Sequence, residues 1–139
     1  GYYTRPDYQG EDLSSYEDSR GKNVGVVLGY VTEIKLKEMG IKYDSSPTDI
    51  VALKKLNDRR INILLVTKES SEYLGRKLIF VSKLRFHMVT RADYYACFSR
   101  KWPDYAKLVM EFDSGLRQIR LDGTYGNIHR RYKAVDASS

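Results

Sequence analysis

The sequence contains a single cysteine, Cys97, only two histidines and only three prolines among its 139 residues. One thiol excludes an intramolecular disulfide framework and any metal site built from cysteines alone. The longest apolar stretches, Val24 to Val31 and Ile61 to Val66, are far shorter than the roughly 20 residues that span a bilayer. Because 42% of the residues are hydrophobic, we predict a folded chain rather than a disordered, collagen-like or membrane-spanning one.

Charge is unevenly distributed along the chain. The net charge is +6, yet residues 1–20 hold five acidic and two basic residues, so the remaining 119 residues carry +9. A basic body is typical of proteins that bind nucleic acid or anionic surfaces. Here the basic residues are spread over every segment and often neighbour acids, as in Lys35-Leu36-Lys37-Glu38, which favours a solvated surface. We predict no nucleic-acid partner, with a basic nucleic-acid-binding domain as the alternative class.

Strands and helices alternate over the first half of the chain. Short apolar runs predict strands at Tyr2–Thr4, Val24–Leu28, Ile41–Asp44 and Ile61–Val66. One helix is expected from a Thr32 cap through Met39, with Gly40 as its stop. A second, capped by Thr48 or Ser46, places Ile50, Leu53 and Leu56 inside and Asp49 outside. The order predicts an α/β layer built on a parallel sheet.

The second half of the chain turns from short strands to helices. A helix at Ser70–Leu74 is followed by predicted strands at Leu78–Val81, Phe86–Val89 and Tyr94–Ser99. A C-terminal helix then carries apolar residues at spacings of three and four: Tyr105, Leu108, Val109, Phe112, Leu116 and Ile119. A last helix is predicted from Thr124 to Tyr132, and residues 134–139 read as a frayed tail.

Catalytic and metal-binding patterns are absent from the sequence. His87 and His129 lie far apart, and neither has a cysteine or carboxylate at metal-ligand spacing. Cys97 falls in an apolar segment, where a thiol is usually an inert small hydrophobe. No nucleophile-elbow, Walker, H-E-x-x-H or EF-hand pattern occurs. We predict a protein that is not an enzyme and that needs no cofactor or metal.

The strand before Gly29 leads directly into a predicted helix. The glycine spacing does not match the dinucleotide-binding pattern G-x-G-x-x-G. The backbone N–H groups of residues 30–33 would nevertheless face any anion held at this helix start, with the Thr32 hydroxyl beside them. A hydrated helix cap is the alternative interpretation of the same residues.

Several stretches, in order, resemble one protein family. Gly21–Tyr30 resembles the "G-K-x-V-G-V-x-x-G" start of the second lobe of bacterial extracellular solute-binding proteins, in the amino-acid-binding family (family 3) that serves ABC importers. Leu53–Asn62 is similar to its "L-x-x-L-x-x-G-x-I-D" segment, and Tyr94–Lys101 to "Y-Y-x-A-F-S-K". Leu121–Ile128 is similar to its terminal "D-G-T-Y-x-x-I", and Tyr2–Pro6 to the strand that crosses between lobes.

The resemblance implies a fold and a domain organisation. It implies a type II periplasmic-binding-protein-like α/β lobe, with a mainly parallel sheet flanked by helices and followed by C-terminal helices. Residues 1–19 would be a crossing strand and entry loop, 20–92 the α/β ligand-binding lobe, 93–99 the return crossing strand and 100–139 the C-terminal helices and tail. Most of the first lobe has no counterpart in the chain. Such proteins work outside the cytoplasm, in the periplasm or extracellular space.

The resemblance also implies where a ligand binds. The implied ligand-binding residues follow the first and third strands of the lobe: Gly29, Tyr30, Val31 and Thr32, then Thr67, Lys68 and Glu69. Thr67 stands where the family commonly has an aspartate that holds the ligand ammonium, and Asn62 replaces another typical aspartate. The expected ligand is a small polar or anionic solute, with amino acids among the candidates.

The expected partners follow from the same comparison. In the family, the C-terminal helices normally cover the first lobe. Because most of that lobe has no counterpart in this chain, their apolar face must pack against another surface. We predict a homodimer that exchanges C-terminal helices, and a membrane permease as partner if transport is retained. The alternative function is a divergent sensory or protein-interaction module that has lost transport.

Overall fold

The computed structural model describes residues 1–133 and divides into two compact units: unit 1, Gly1–Arg91, and unit 2, which begins at Ala92. The strands of unit 1 are β1 Tyr2–Thr4, β2 Val24–Val27, β3 Asp44–Ser46, β4 Ile63–Leu65 and β5 Arg85–His87. Its α-helices are α1 Val31–Glu38, α2 Asp49–Asn57 and α3 Lys68–Gly75, with 3-10 turns at Tyr16–Ser19 and Ile79–Lys83. The helices of unit 2 are α4 Tyr105–Leu121 and α5 Thr124–Lys133.

The five strands form one mixed sheet in the order β3-β2-β4-β1-β5. The β2 strand pairs in parallel with both β3 and β4, so the predicted parallel sheet is present over these three strands. The β1 strand runs antiparallel to β4 and β5. Since parallel strands point the same way, the carboxyl ends of β3, β2 and β4 meet at one side of the sheet, here called the carboxyl edge.

The core lies on both faces of this sheet, which explains the uninterrupted apolar run in β4. Successive side chains of a strand point to opposite faces. Accordingly, Ile63 and Leu65 pack on the face covered by Leu36 of α1, while Leu64 packs on the face covered by Leu53 of α2. A strand that is buried on both faces cannot shift its register without moving polar groups into the core.

The strand predicted at Ile41–Asp44 lies further along the chain than expected. The ladder uses Asp44–Ser46 rather than Ile41–Asp44, with Ser46 opposite Val27. The N–H of Ile41 instead donates to the Leu36 carbonyl at 2.9 Å, which closes the end of α1 around Gly40 at φ 65°. A backbone donor used in a helix cap is not available to a strand ladder.

Two further strand predictions required correction. Leu78–Val81 begins a 3-10 turn over Ile79–Lys83, because its backbone donors bond three residues back, from Leu78 to Gly75 and from Val81 to Leu78. The strand predicted at Phe86–Val89 lies at Arg85–His87, antiparallel to β1.

The inward face of α2 also differs from the prediction. Thr48 caps the helix as predicted, accepting from the Val51 N–H at 3.3 Å. Asp49, expected outside, is only 1% exposed, whereas Ile50, expected inside, is 39% exposed. The periodic apolar face is therefore built from Leu53 and Leu56, and Asp49 is buried because hydroxyl groups satisfy it.

Unit 2 consists of α4, α5 and the segment before them. Residues 94–99, predicted as a strand, are described and form no strand. Phe98 instead packs edge-on against Phe112 of α4, with ring centroids 5.5 Å apart. The α4 helix, described in full, has no buried residue. The tail predicted at 134–139 lies outside the described residues.

The end of α2 carries an unusual backbone conformation at Arg59. Its φ of 62° lies in the left-handed region, where a residue with a Cβ is disfavoured by roughly 1–2 kcal/mol. The Arg59 guanidinium bonds the Asp7 carboxylate and lowers the pKa of that carboxyl. Both side chains are largely exposed, at 66% and 48%, and exposed ion pairs add little net stability. The strain at Arg59 is therefore not offset by this contact.

This strain predicts that glycine is preferred to alanine at position 59. Arg59→Gly should be more stable than Arg59→Ala by about 1 kcal/mol, because both lose the guanidinium and only glycine removes the left-handed penalty. Chemical denaturation of the two variants measures the difference. Lys54, inside α2, is the matched control, and there Lys54→Gly should be less stable than Lys54→Ala by about 1 kcal/mol. The same order at both positions would contradict the strain at Arg59.

Candidate functional site

Two helix starts lie side by side at the carboxyl edge. The α1 helix begins just after β2 and the α3 helix just after β4, and β2 and β4 are adjacent parallel strands. Their N-caps, Tyr30 and Thr67, are both described, and neither side chain bonds the start of its helix. The first N–H groups of a helix have no partner within it, so both helix starts present backbone donors suited to an anion.

The topology brings the seven predicted ligand-binding residues to this one edge. Gly29 to Thr32 lie between β2 and the first turn of α1, and Thr67 to Glu69 lie between β4 and the first turn of α3. The predicted cap Thr32 required correction, because α1 begins at Val31 with Tyr30 as its N-cap. Val31 is 76% exposed, so its side chain is the most open of the apolar groups at this helix start.

The side chain of Glu33 satisfies part of the first helix start from within the protein. Its carboxylate accepts from the Gly29 N–H at 2.7 Å and from the Ser45 hydroxyl at 2.9 Å. Glu33 therefore ties the loop after β2 to β3. The N–H groups of Gly29 and Tyr30 are already engaged, the latter with the Val27 carbonyl at 3.2 Å, so a bound anion would use the N–H groups of Val31 and Thr32.

A buried carboxylate, Asp49, links all three helix starts. It accepts from the Tyr30 hydroxyl at 2.7 Å and from the Ser71 hydroxyl at 2.8 Å, and both Asp49 and Ser71 are almost fully buried. Tyr30 comes before α1, Asp49 begins α2, and Ser71 lies in α3. A buried carboxylate is tolerated when hydrogen bonds replace its lost water. Asp49 thus fixes the position of the Tyr30 side chain.

Sequence reasoning missed both Asp49 and Ser71. One available signal was the pair of small residues Ser71 and Gly75, four apart on α3 and both buried. Residues four apart lie on one helix face, and a Cβ on Gly75 would stand 2.8 Å from Leu53 of α2. Such a face indicates close packing of α3 on α2, which places Ser71 near the beginning of α2.

The second helix start carries charged side chains of both signs. The Lys68 ammonium lies 3.6 Å from Glu72 and 5.5 Å from the Phe86 ring centre. Glu72 also accepts from the Tyr3 hydroxyl at 3.1 Å. Glu69 is exposed. Lys68 is therefore directed along α3 toward the antiparallel side of the sheet, and Glu69 adds a carboxylate near the open edge.

Two hydroxyl oxygens near this edge, Thr32 Oγ1 and Ser46 Oγ, are buried without a hydrogen-bond partner among the described residues. Thr32 lies in the first turn of α1, and Ser46 is the last residue of β3. A buried hydroxyl without a partner costs free energy. Each of these oxygens would be stabilised by a bound water.

The two histidines considered in the sequence analysis contact neighbouring side chains, and the single cysteine lies at the surface. The His87 ring lies 3.0 Å from the Thr4 hydroxyl, and the His129 ring stacks on Tyr125 with centroids 4.3 Å apart. Cys97, predicted to be buried in a strand, is exposed, because its segment joins no sheet. Within residues 1–133 no cluster of metal-ligating side chains is found. No helix in that range is long and apolar enough to cross a membrane.

Comparison with known proteins identifies the fold. No protein-family model matches the sequence, and no curated protein matches it. A mutant of ArgBP from T. maritima matches with a TM-score of 0.74 and 21% identity, over 96% of this chain and 56% of that chain. A histidine kinase sensor domain with similarity to periplasmic binding proteins has a TM-score of 0.74 and 23% identity, over 94% and 57%. The fold is periplasmic-binding-protein-like.

A third match shows the same proportions. An ABC uptake transporter substrate-binding protein from Streptococcus pneumoniae with bound histidine has a TM-score of 0.72 and 18% identity, over 99% of this chain and 58% of that chain. This chain thus spans a little over half the length of these three solved chains. At these identities the likeness shows the fold alone, and the predicted α/β fold class is confirmed.

The Asp49 contacts predict a measurable role for Ser71. Ser71→Ala should lower the free energy of unfolding by about 2 kcal/mol, because a buried carboxylate loses one of its two hydroxyl donors. Denaturant unfolding measures this loss. The control is Ser70→Ala, on the same turn of α3 and less buried, for which we expect a change within about 0.5 kcal/mol. Equal effects of the two substitutions would exclude the Asp49 contact as the cause.

Proposed function

We propose that this chain is a non-enzymatic solute-binding domain, related in function to the substrate-binding component of amino-acid ABC importers. The observation that carries the proposal is the pair of helix starts, α1 and α3, side by side at the carboxyl edge and without a side-chain cap. In open α/β sheets, ligands bind outside the carboxyl ends of the strands. The fold, shared with solved binding proteins, supports the same assignment.

The proposed ligand is a small polar solute with an anionic group, and an amino acid fits best. The N–H groups after Tyr30 and Thr67 would bind its carboxylate. Glu69 is exposed beside the same edge and would attract an ammonium group. One face of a two-lobed site binds weakly alone, so the second face would come from another lobe.

The apolar face of α4 supports a second copy of the chain as partner. Phe112 is 44% exposed and Leu108 is 36% exposed. With Tyr94 and Tyr95, α4 lines a groove of about 650 Å³ within unit 2. Leaving apolar surface in water costs about 25 cal/mol per Å². We propose a homodimer in which C-terminal helices are exchanged.

The proposed setting follows from the proposed function. A solute-binding domain of this class works in the periplasm or outside the cell and delivers its ligand to a membrane permease. In that assignment, residues 1–19 and 93–99 are the crossings between lobes, and 20–92 the ligand-binding lobe. Residues 100–139 are then the segment that carries the C-terminal helices α4 and α5.

A sensory module is the second candidate function. The match to a histidine kinase sensor domain, with a TM-score of 0.74, favours it as much as the transporter matches favour uptake. A sensory module would use the same edge for its ligand and would pass the signal to an attached domain instead of a permease. Binding of the chain to a permease in detergent would distinguish the two.

The first prediction from the proposed function concerns Val31, whose exposed side chain lies at the start of α1. Val31→Asp places a carboxylate at the backbone donors, where it should stabilise the helix and compete with an anionic ligand. A thermal-shift screen of amino acids and small organic acids would identify the ligand, and calorimetry would measure its affinity. We expect Val31→Asp to weaken binding by at least about tenfold, or ~1.4 kcal/mol.

The control for this experiment is Val31→Asn, which has the same shape without the charge. We expect its affinity to stay within about threefold of the parent chain. Equal loss in both variants would mean that the side-chain size matters and the anion site does not. A screen in which no solute shifts the melting temperature of the parent chain would refute solute binding by this lobe.

The second prediction concerns assembly through α4. Light scattering at micromolar concentration should give the mass of a dimer for the parent chain and of a monomer for Phe112→Asp, because a charge on the apolar face prevents its burial. Lys107→Asp, on an exposed part of the same helix, is the control and should remain dimeric. A monomeric parent chain would refute the dimer.

A further inference from the structure

A concave surface lies in unit 1, at the opposite end of α2 from the carboxyl edge. This surface, here called the basic groove, encloses about 240 Å³ beside the last residue of α2. Its lining residues are Arg5, Pro6, Asp7, Asn57, Arg59, Phe80, Lys83 and Leu84. The groove is therefore built by three segments: the chain after β1, the end of α2 and the 3-10 turn at Ile79–Lys83.

The groove carries more positive than negative charge. Arg5, Arg59 and Lys83 face one acid, Asp7. Arg5 serves the fold, since its guanidinium donates to the carbonyls of Leu56 at 2.8 Å and Ile61 at 2.9 Å. Its Nε lies 3.5 Å from Asp7, which Arg59 also contacts. One carboxylate shared between two guanidinium groups leaves the groove cationic.

Lys83 adds to this excess. Among residues 1–133 no carboxylate lies within ion-pair distance of its ammonium. The lysine and Arg59 are both exposed, so a ligand can reach them from solvent. The planar guanidinium of Arg59 and the compact ammonium of Lys83 can each bind a different oxygen of a phosphate or carboxylate.

Apart from the polar Asn57, the remaining lining is apolar. Pro6, Phe80 and Leu84 form part of the groove wall, and Phe80 and Leu84 pack on the core beneath it. An apolar wall beside a cationic rim selects a ligand with the same division, an organic body that ends in an anionic group. A free inorganic anion would leave the apolar wall without a contact.

The left-handed backbone at Arg59 belongs to the end of α2, where the N–H groups of Arg59 and Arg60 donate to the carbonyls of Leu56 at 3.3 Å and Lys55 at 2.9 Å. Its left-handed φ of 62° is a position where glycine is less strained. The exposed contact with Asp7 does not compensate for that strain. The helix end sets this backbone conformation, and the exposed Arg59 side chain lines the groove.

We propose that the basic groove binds a small organic anion, with its phosphate or carboxylate on Arg59 and Lys83 and its apolar body on Phe80 and Leu84. Binding would draw Arg59 away from Asp7. This site is separate from the carboxyl edge, since none of the seven residues predicted there lines it. The proposal therefore stands whether or not the chain binds a solute at that edge.

The test uses phenyl phosphate and inorganic phosphate as probes, measured by calorimetry on the full chain. Phenyl phosphate should bind saturably, and inorganic phosphate at least about fivefold more weakly, because it makes no contact with the apolar wall. Arg59→Gly and Lys83→Ala should each weaken phenyl phosphate binding at least about fivefold. Arg59→Gly also relieves the backbone strain, so lost binding with an undiminished melting temperature separates function from folding.

Two further variants complete the test. Asp7→Asn removes the internal competitor for Arg59 and should strengthen binding about threefold or more. Arg60→Ala, the neighbouring arginine outside the groove, removes the same charge and should leave the affinity unchanged. An equal loss in Arg60→Ala, no saturable binding, or equal affinity for the two probes would each overturn the proposal. Val31→Asp should leave this binding unchanged, which separates it from the carboxyl edge.

Discussion

The burial of β4 on both faces is the constraint on which the rest of unit 1 depends. Its side chains fill the core under α1 on one side and under α2 on the other. Its backbone pairs with β2 in parallel and with β1 in antiparallel register. Once this strand is fixed, the starts of α1 and α3 must emerge next to each other. The candidate site is thus a geometric consequence of the core rather than a feature of the loops alone.

The elements that the sequence predicted well are those with a strong local signal. The apolar runs at Val24–Leu28 and Ile61–Val66 and the stop at Gly40 all appear in the structure, because local chain preference and burial agree there. The outer strands of the sheet were less predictable. At Ile41 the backbone N–H donates to the end of α1 instead of to a strand, and at Tyr94–Ser99 the apolar run forms no strand.

The site was only partly predictable for a related reason. The residues after β2 and β4 follow from the order of strands, whereas Asp49 does not. An aspartate in the first turn of a helix is ordinarily solvated there, and its burial depends on hydroxyls of Tyr30 and Ser71 that come from two other elements. Such contacts arise only when the three helices pack, so no periodicity within α2 could have indicated them.

The place of β1 in the sheet has a consequence for the order of folding. Tyr2 pairs with Leu65 on one side and His87 on the other. Its hydroxyl lies 2.7 Å from that of Ser19, which holds the loop between β1 and β2 against β1. Contacts between residues so far apart in sequence form slowly, because the chain between them must first be closed into a loop. Because β4 and β5 come later in the sequence, β1 cannot pair with them until they have been synthesised. Until β4 and β5 follow, Tyr2 and Tyr3 have no strand to pair with, and their apolar rings stay exposed to water.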